Sequence, residues 1–260
     1  MVRLDAGGAK YVRDWLGPVG EPGLLGLWHG LEHGGEGLWG DHANRPGSVV
    51  LVREGDGQIE AFGAGEAKPG VGWLIHQGRP FTLQAPESWL EPVKRQVGKV
   101  SRAVVETWVH RGFSRDAAAK PKVKVRRLEL RHEGCFEAVV PSWGLRGWGS
   151  YGRMIEAGAS AFGLFDGEGL ASASWVFEEA GGFSGVAVYT VRRFRRLGLG
   201  YATAYANIWS EIEGRGRLPI WSTPAENTAS LTLAGLLGFE HAADEALIRW
   251  PPRVEAGIRG

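Results

Sequence analysis

Val186-Ala-Val-Tyr-Thr-Val-Arg-Arg-Phe-Arg-Arg-Leu-Gly-Leu-Gly-Tyr-Ala202 joins an apolar strand pattern to a basic glycine turn and a helix start. It opens as an alternating strand. Val186, Val188 and Thr190 point one way, and Ala187, Tyr189 and Val191 the other. A basic turn with Gly198 and Gly200 follows, then helix-forming residues: Tyr201, Ala202, Ala204, Tyr205, Ala206, Ile208, Trp209 and Ile212. The first N–H groups of a helix have no partner within it, so a strand, a basic glycine turn and a helix start make an anion site. Glycine lets backbone approach a phosphate closely, and arginine adds charge.

The rest of the chain bounds what that site serves. Its 260 residues allow one large domain or two smaller ones. With 43% hydrophobic and 23% charged residues it has the composition of a soluble globular protein. A net charge of +1 argues against a nucleic-acid face spread over the molecule. Cys135 is the one cysteine, so no intrachain disulfide forms; a reducing cytoplasm fits. The start Met-Val-Arg-Leu-Asp-Ala-Gly-Gly lacks the apolar segment of a signal peptide, and no run of about 18 apolar residues suggests a membrane span.

Outward from the opening stretch, residues 159–165 and 169–178 read as strands, with 183–191 the strand already described. A helix follows over 200–213, a strand over 218–223, a helix over 228–237 and strand material over 244–250. Asp166-Gly-Glu-Gly169 and Ala180-Gly-Gly182 are hairpin turns. Residues 133–158 are helical or irregular. The basic run Lys120 to Arg131 interleaves Val123, Val125, Leu128 and Leu130 with its charges, and reads as a strand with one wet face near 123–131. Residues 114–122 form a connector.

Upstream, Ser48–Arg53, Gln58–Gly63 and Gly70–Ile75 read as three short strands, with a hairpin at Asp56-Gly57. Trp89, Val93, Val97, Val100, Val104 and Trp108 form one helical stripe, placing a helix over 86–111. His29 and His33 stand at metal-ligand spacing, with His42 beyond, but Gly30, Gly34, Gly35 and Gly37 favour a glycine-rich loop with incidental histidines. No metal is expected.

Three phosphate motifs compete for the opening stretch. A nucleotide P-loop needs Lys-Ser/Thr after its last glycine, where Tyr201-Ala202 stand. The dinucleotide fingerprint needs a third glycine, where Thr203 stands. Arg/Gln-x-x-Gly-x-Gly/Ala fits as Arg195-Arg196-Leu197-Gly198-Leu199-Gly200. After a short strand comes Asn227-Thr-Ala-Ser-Leu-Thr-Leu-Ala-Gly-Leu-Leu-Gly-Phe239. The pair resembles motifs A and B of the GNAT (Gcn5-related) N-acetyltransferases, over about residues 183–240. Tyr189-Thr190, Trp221 and Leu233-Ala234 look closest to two-half GNAT acetyltransferases related to zwittermicin-resistance-type proteins.

The resemblance implies an α+β fold: a GNAT half over 119–260 with a mixed, mostly antiparallel sheet flanked by helices, and an N-terminal α/β half over 1–118, either a degenerate GNAT-like repeat or another α/β unit. It implies acetyl-CoA as cosubstrate. Backbone at Val188, Tyr189 and Thr190 would pair with the pantetheine arm. Arg195, Arg196, Leu197, Gly198, Leu199, Gly200 and Tyr201 would hold the pyrophosphate, and Asn227 and Ser230 would contact the arm. An N-cap role serves Asn227 equally well. The chemistry implied is attack of a neutral amine on the thioester, with a backbone N–H near Tyr189–Val191 for the oxyanion. The tyrosine that many GNAT enzymes use as acid falls at Ala234, and the glutamate that some place ahead of motif B falls at Ser222. Glu178, Glu179 and Tyr189 are the base candidates by position, although hairpin carboxylates are mostly solvated. The expected protein is a cytoplasmic N-acetyltransferase, monomeric or homodimeric, acting on a small amine or amino-acid-like metabolite. The alternatives are protein or peptide acetylation and a non-catalytic acyl-CoA sensor; nucleic acid and membrane are not expected partners.

Overall fold

The computed structural model describes residues 1–16, 25–33, 37–55, 58–112, 123–167 and 169–251. They divide into two compact units, Met1–Val105 with Asp244–Gly260, and Glu106–Ala243. The boundary expected at 118/119 and the hairpin tip Asp56-Gly57 lie outside the described residues.

In chain order the elements are β1 (Val2–Arg3), α1 (Ala6–Leu16), α2 (Leu25–His33), β2 (Gly37–Gly40), β3 (Ser48–Gly55), β4 (Gln58–Gly65), α3 (Ala67–His76), β5 (Phe81–Ala85), α4 (Leu90–Val97) and β6 (Ser101–Val109). Then come β7 (Arg126–Arg127), α5 (Glu133–Glu137), α6 (Tyr151–Glu156), β8 (Ala161–Asp166), β9 (Gly169–Ala180), β10 (Phe183–Thr190), α7 (Leu199–Trp209), β11 (Leu218–Pro224), α8 (Thr228–Leu236) and β12 (Glu240–Trp250). The second ten repeat the order of the first ten, β-α-α-β-β-β-α-β-α-β. The chain is thus a tandem α+β repeat, although the two halves show no evident sequence repeat.

In the first unit the strand order is β1-β2-β3-β4-β5, completed by the end of β12, with Ala246–Trp250 antiparallel to Phe81–Ala85. In the second it is β7-β8-β9-β10-β11, completed by the end of β6. Each unit holds a parallel pair, β4 with β5 and β10 with β11. Each unit is therefore completed by the last strand of the other repeat. Val71, Leu74, Leu83, Trp89, Val93 and Ile248 form the core of the first unit. The second unit has two apolar clusters. One gathers Phe136, Tyr151, Met154, Trp175 and Ala187, and the other Val186, Ala204, Ile208, Trp221, Ala234 and Phe239.

Four expectations are corrected. Residues 25–33 are helical: Gly30 sits against Leu51, where an added Cβ would lie 2.4 Å from a Leu51 methyl, so glycine here serves close packing. His29 in that helix is fully buried. Gly70–Ile75 belongs to helix α3, with Val71 and Leu74 buried one turn apart. The helix expected over 86–111 breaks after Val97 at Gly98, which has φ +75°, and β6 follows. Val105, Thr107 and Val109 are buried with strand alternation, and the β-branched run favours that outcome. The strand expected near 123–131 shrinks to Arg126–Arg127, and Leu130–His132 turns into a 3-10 helix.

Candidate functional site

The parallel pair β10–β11 starts in register, with Phe183 opposite Leu218, Ser184 opposite Pro219 and Gly185 opposite Ile220. Among the described residues that ladder stops there, while β10 stays paired with β9 as far as Thr190 opposite Ser172. The two strands thus part from Val186 onward and leave an open wedge. Val191 N–H donates to Ala171 O, and the Ala187 and Tyr189 carbonyls accept from Ser174 and Ser172 of β9. Because main-chain direction alternates along a strand, the N–H and C=O groups of Val188 and Thr190 face the wedge instead. Two of the three residues expected to hold a ligand arm therefore offer it main-chain groups; Tyr189 turns its own towards β9.

The loop from Val191 to Gly198 leads from the wedge into α7. Arg192–Phe194 form a 3-10 turn. Arg196 has φ +64° and Gly198 φ +74°. For arginine a left-handed backbone costs about 1–2 kcal/mol. Such alternation turns successive N–H groups inward to form an anion-binding concavity. Gly198 is the N-cap of α7, and the first bond back to it comes from Ala202 N at 3.1 Å. The N–H groups of Leu199 and Gly200 point to the positive end of the helix dipole, where an anion binds. Gly200 holds that end against the wedge: a Cβ there would lie 3.1 Å from Thr190 Oγ1 and 3.7 Å from a Val188 methyl. Arg195 braces the strand end, with Nε 3.1 Å from Thr190 O and its guanidinium 5.9 Å from the Tyr189 ring. Arg193 pairs with Asp166 at 3.4 Å. Arg192 and Arg196 are exposed and form no ion pair among the described residues. Leu197 is 66% exposed. Tyr201 is half-buried; burial, then Tyr205, raises its pKa, so it stands as a neutral phenol.

Hydroxyl and ionic groups anchor α7 from behind. Ser172 Oγ lies 2.9 Å from Thr190 Oγ1 and 3.1 Å from Thr203 Oγ1, tying the strand end to the first turn of the helix. Thr203, which excluded the dinucleotide motif, serves this bond. At the other end, α7 runs into a π-turn, Ser210–Gly214, that buries Glu211 completely. Ser160 Oγ bonds Asn207 and lies 2.6 Å from Glu211, and Ser184 Oγ donates to Glu211 at 2.5 Å. Arg215 lies 2.9 Å from Glu211 and 2.7 Å from Glu179. Burial works against the Arg215 cation, but its hydrogen bonds and the charges of Glu179 and Glu211 outweigh it and raise its pKa.

The catalytic candidates separate. Glu178 and Glu179 are both buried, at 6% and 2% exposure, so neither is a solvated hairpin charge. Glu179 is held by Arg215, with Arg217 at 3.4 Å, in the cluster behind α7. Glu178 lies opposite Gly185, the last residue before the wedge, on the face shared with Ala187 and Tyr189. Tyr189 is half-buried on that face. Ser222, two residues beyond Ile220 on β11, shares it too, and its hydroxyl lies 3.2 Å from that of Thr107. Asn227 is the N-cap of α8, 3.3 Å from Ser230 N. Ser230 Oγ accepts from Trp221 Nε1 at 2.9 Å. Ala234 is fully buried beside Ile208 and Trp221, with no room for a tyrosine.

The corresponding place in the first unit is closed. Between β4 and α3 stands a single residue, Glu66, and Pro69 removes one N–H from the first turn. Trp89, fully buried at the start of α4, donates from Nε1 to Gly65 O at 3.0 Å. Its ring is so close to Gly63 and Gly70 that a Cβ at either would lie 2.7 or 2.6 Å from it. A cavity of about 660 Å³ along α7, lined by Val123, Phe162, Tyr205 and Trp209, includes none of the loop residues. Among the described residues no group of three His, Cys, Asp or Glu is placed to hold a metal, and no helix is long and apolar enough to cross a membrane.

No protein-family model matches the chain, and no curated protein matches it. Solved structures do. A GCN5-related N-acetyltransferase-like protein from Streptococcus suis superposes with TM-score 0.70 at 18% identity, over 94% of this chain and 100% of its own. A tandem GNAT protein from the clavulanic acid biosynthesis pathway gives 0.62 at 15%, over 95% and 96%. A GNAT-family acetyltransferase from Colwellia psychrerythraea gives 0.58 at 14%, over 86% and 89%. At these identities the likeness concerns architecture, and both units take part in it. With its parted parallel strands and the glycine loop entering α7, the chain has the GNAT fold in tandem.

Proposed function

We propose that the protein is a cytoplasmic acetyl-CoA-dependent N-acetyltransferase acting on a primary amine of a small or amino-acid-like molecule, related to the two-half, zwittermicin-resistance-type enzymes. The wedge opening directly onto the loop that enters α7 carries this reading: it offers a slot edged by main-chain groups of Val188 and Thr190 for an extended arm, ending at the positive end of the helix. The pantetheine arm lies along Val188 and Thr190, and the pyrophosphate caps α7. The amine attacks the thioester carbonyl, its electron pair forming the C–N bond. The tetrahedral oxyanion takes a hydrogen bond from a wedge-facing N–H, that of Val188 or Thr190. Collapse breaks the C–S bond and releases the thiolate, and the amine proton passes to a base. Glu178 and Tyr189 are the base candidates on the open face, whereas Glu179 is held by its arginines.

Isothermal titration with CoA is the direct test, together with free-thiol release across an amine panel. Binding in the micromolar range that is lost in Gly198→Glu supports the reading. Absence of binding at millimolar CoA sinks it, and binding without turnover on any amine moves the protein to the sensor class.

A further inference from the structure

Helix α7 meets the sheet along a seam that is polar where a core is usually apolar. Thr203 and Asn207 of α7, and Glu211 of the π-turn that continues it, follow one another at every fourth residue and are fully buried. Their partners are serines, also fully buried: Ser160 just before β8, Ser172 and Ser174 of β9, and Ser184 of β10. Ser172 Oγ lies 3.1 Å from Thr203 Oγ1, Asn207 Nδ2 donates to Ser174 Oγ at 3.1 Å, and Ser184 Oγ donates to Glu211 at 2.5 Å. Ser160 bonds both Asn207 and Glu211 and so joins two rungs of this ladder. A buried hydroxyl or amide without a partner is costly, so the ladder closes in one register, whereas apolar contacts between a helix and a sheet can slide. The first rung differs from the others in what it touches. Ser172 Oγ also lies 2.9 Å from Thr190 Oγ1 and donates to Tyr189 O at 3.2 Å, at the end of the strand that edges the wedge. Thr203 Oγ1 lies 3.1 Å from Leu199 O and 3.2 Å from Gly200 O, in the first turn of α7. Two hydroxyls in contact thus connect the wedge to the helix N-terminus.

We propose that Ser172 and Thr203 are positioning residues for CoA: the buried ladder sets how far along the sheet the start of α7 stands, and its first rung holds wedge and helix at the spacing of one ligand's arm and pyrophosphate. This deepens the acyl-transfer reading and rests on it. Two contacts made by one molecule reinforce each other only where their spacing matches that molecule, so a lost register weakens CoA without unfolding the protein. The fold itself does not depend on the Thr203 hydroxyl. Valine has the shape of threonine, and Ser172 would keep Tyr189 O and Thr190 as partners, so no buried polar group is orphaned in Thr203→Val.

The test is isothermal titration of CoA into the full chain for the wild type, Thr203→Val and Thr203→Ser, with the melting temperature of each protein taken without ligand. We expect Thr203→Val to melt near wild type and yet bind CoA about tenfold more weakly. Thr203→Ser keeps the hydroxyl and should restore most of that affinity. Unchanged affinity in Thr203→Val overturns the proposal. So does a loss that Thr203→Ser shares in full, or one that comes with a matching fall in melting temperature, since either makes Thr203 a packing residue. A wild type that does not bind CoA is a different result: it removes the acyl-transfer reading, and the positioning role falls with it.

Discussion

At the scale of single residues, Gly198 sets the phosphate loop. Its φ of +74° is open to glycine, tolerable for asparagine and strained for a β-branched side chain. Gly198→Val should lower stability by about 1–2 kcal/mol in urea unfolding and weaken CoA more than tenfold by titration, whereas Gly198→Asn should leave both near wild type. His110 gives a pH signature. Burial lowers its pKa below the ordinary 6.5, only partly offset by the Leu237 carbonyl and Glu240. Its Nε2 lies 3.0 Å from Leu237 O, and its Nδ1 accepts from Gly112 N–H, so the ring is held neutral. Below pH 6.5 the unfolded chain takes up a proton that the folded ring resists. The stability tied to His110 is therefore present above that pH and is lost as pH falls through the folded pKa. Melting temperatures from pH 5 to 8 should decline on the acid side, and the decline should be shallower in His110→Phe.

At the scale of elements, α7 is held at both ends, by hydroxyls beneath its first turn and by a buried ion cluster at its last. Arg215→Ala would leave Glu179 and Glu211 buried without their shared cation, and should cost roughly 3–5 kcal/mol in chemical denaturation. Helix α7 and its loop were legible in the sequence, because a glycine turn between a strand and an apolar run has a local cause. The ion cluster was not: Ser160, Ser184, Asn207 and Glu211 are ordinary polar residues whose meeting depends on the packing of three separate elements. The same contrast explains the stripe from Trp89 to Trp108. A spacing of threes and fours fits a helix, yet residues 100 to 109 also alternate, and the contacts of β6 within the sheet favour the strand.

At the scale of the whole molecule, two repeats with one element order have diverged at one place. Where β10 and α7 are joined by an eight-residue loop, β4 and α3 are joined by Glu66 alone, with the Trp89 indole packed alongside. Titration should therefore give one CoA per chain; a second equivalent would contradict the closed first unit. Trp89→Ala should cost roughly 3–5 kcal/mol, as large aromatic truncations in a core do, without adding a second site. The shared element order also bears on what can be cut away. The first unit needs residues from Asp244 onward, and the second starts at Glu106, inside β6. Splitting the gene between codons 112 and 123 would thus sever each repeat from the strand that completes its own unit, β12 for the first and β6 for the second. Expressed singly, either fragment should be insoluble or unfolded by circular dichroism. Coexpressed, they should purify as a stable nicked pair, bound together by exchanged strands with no peptide bond between them.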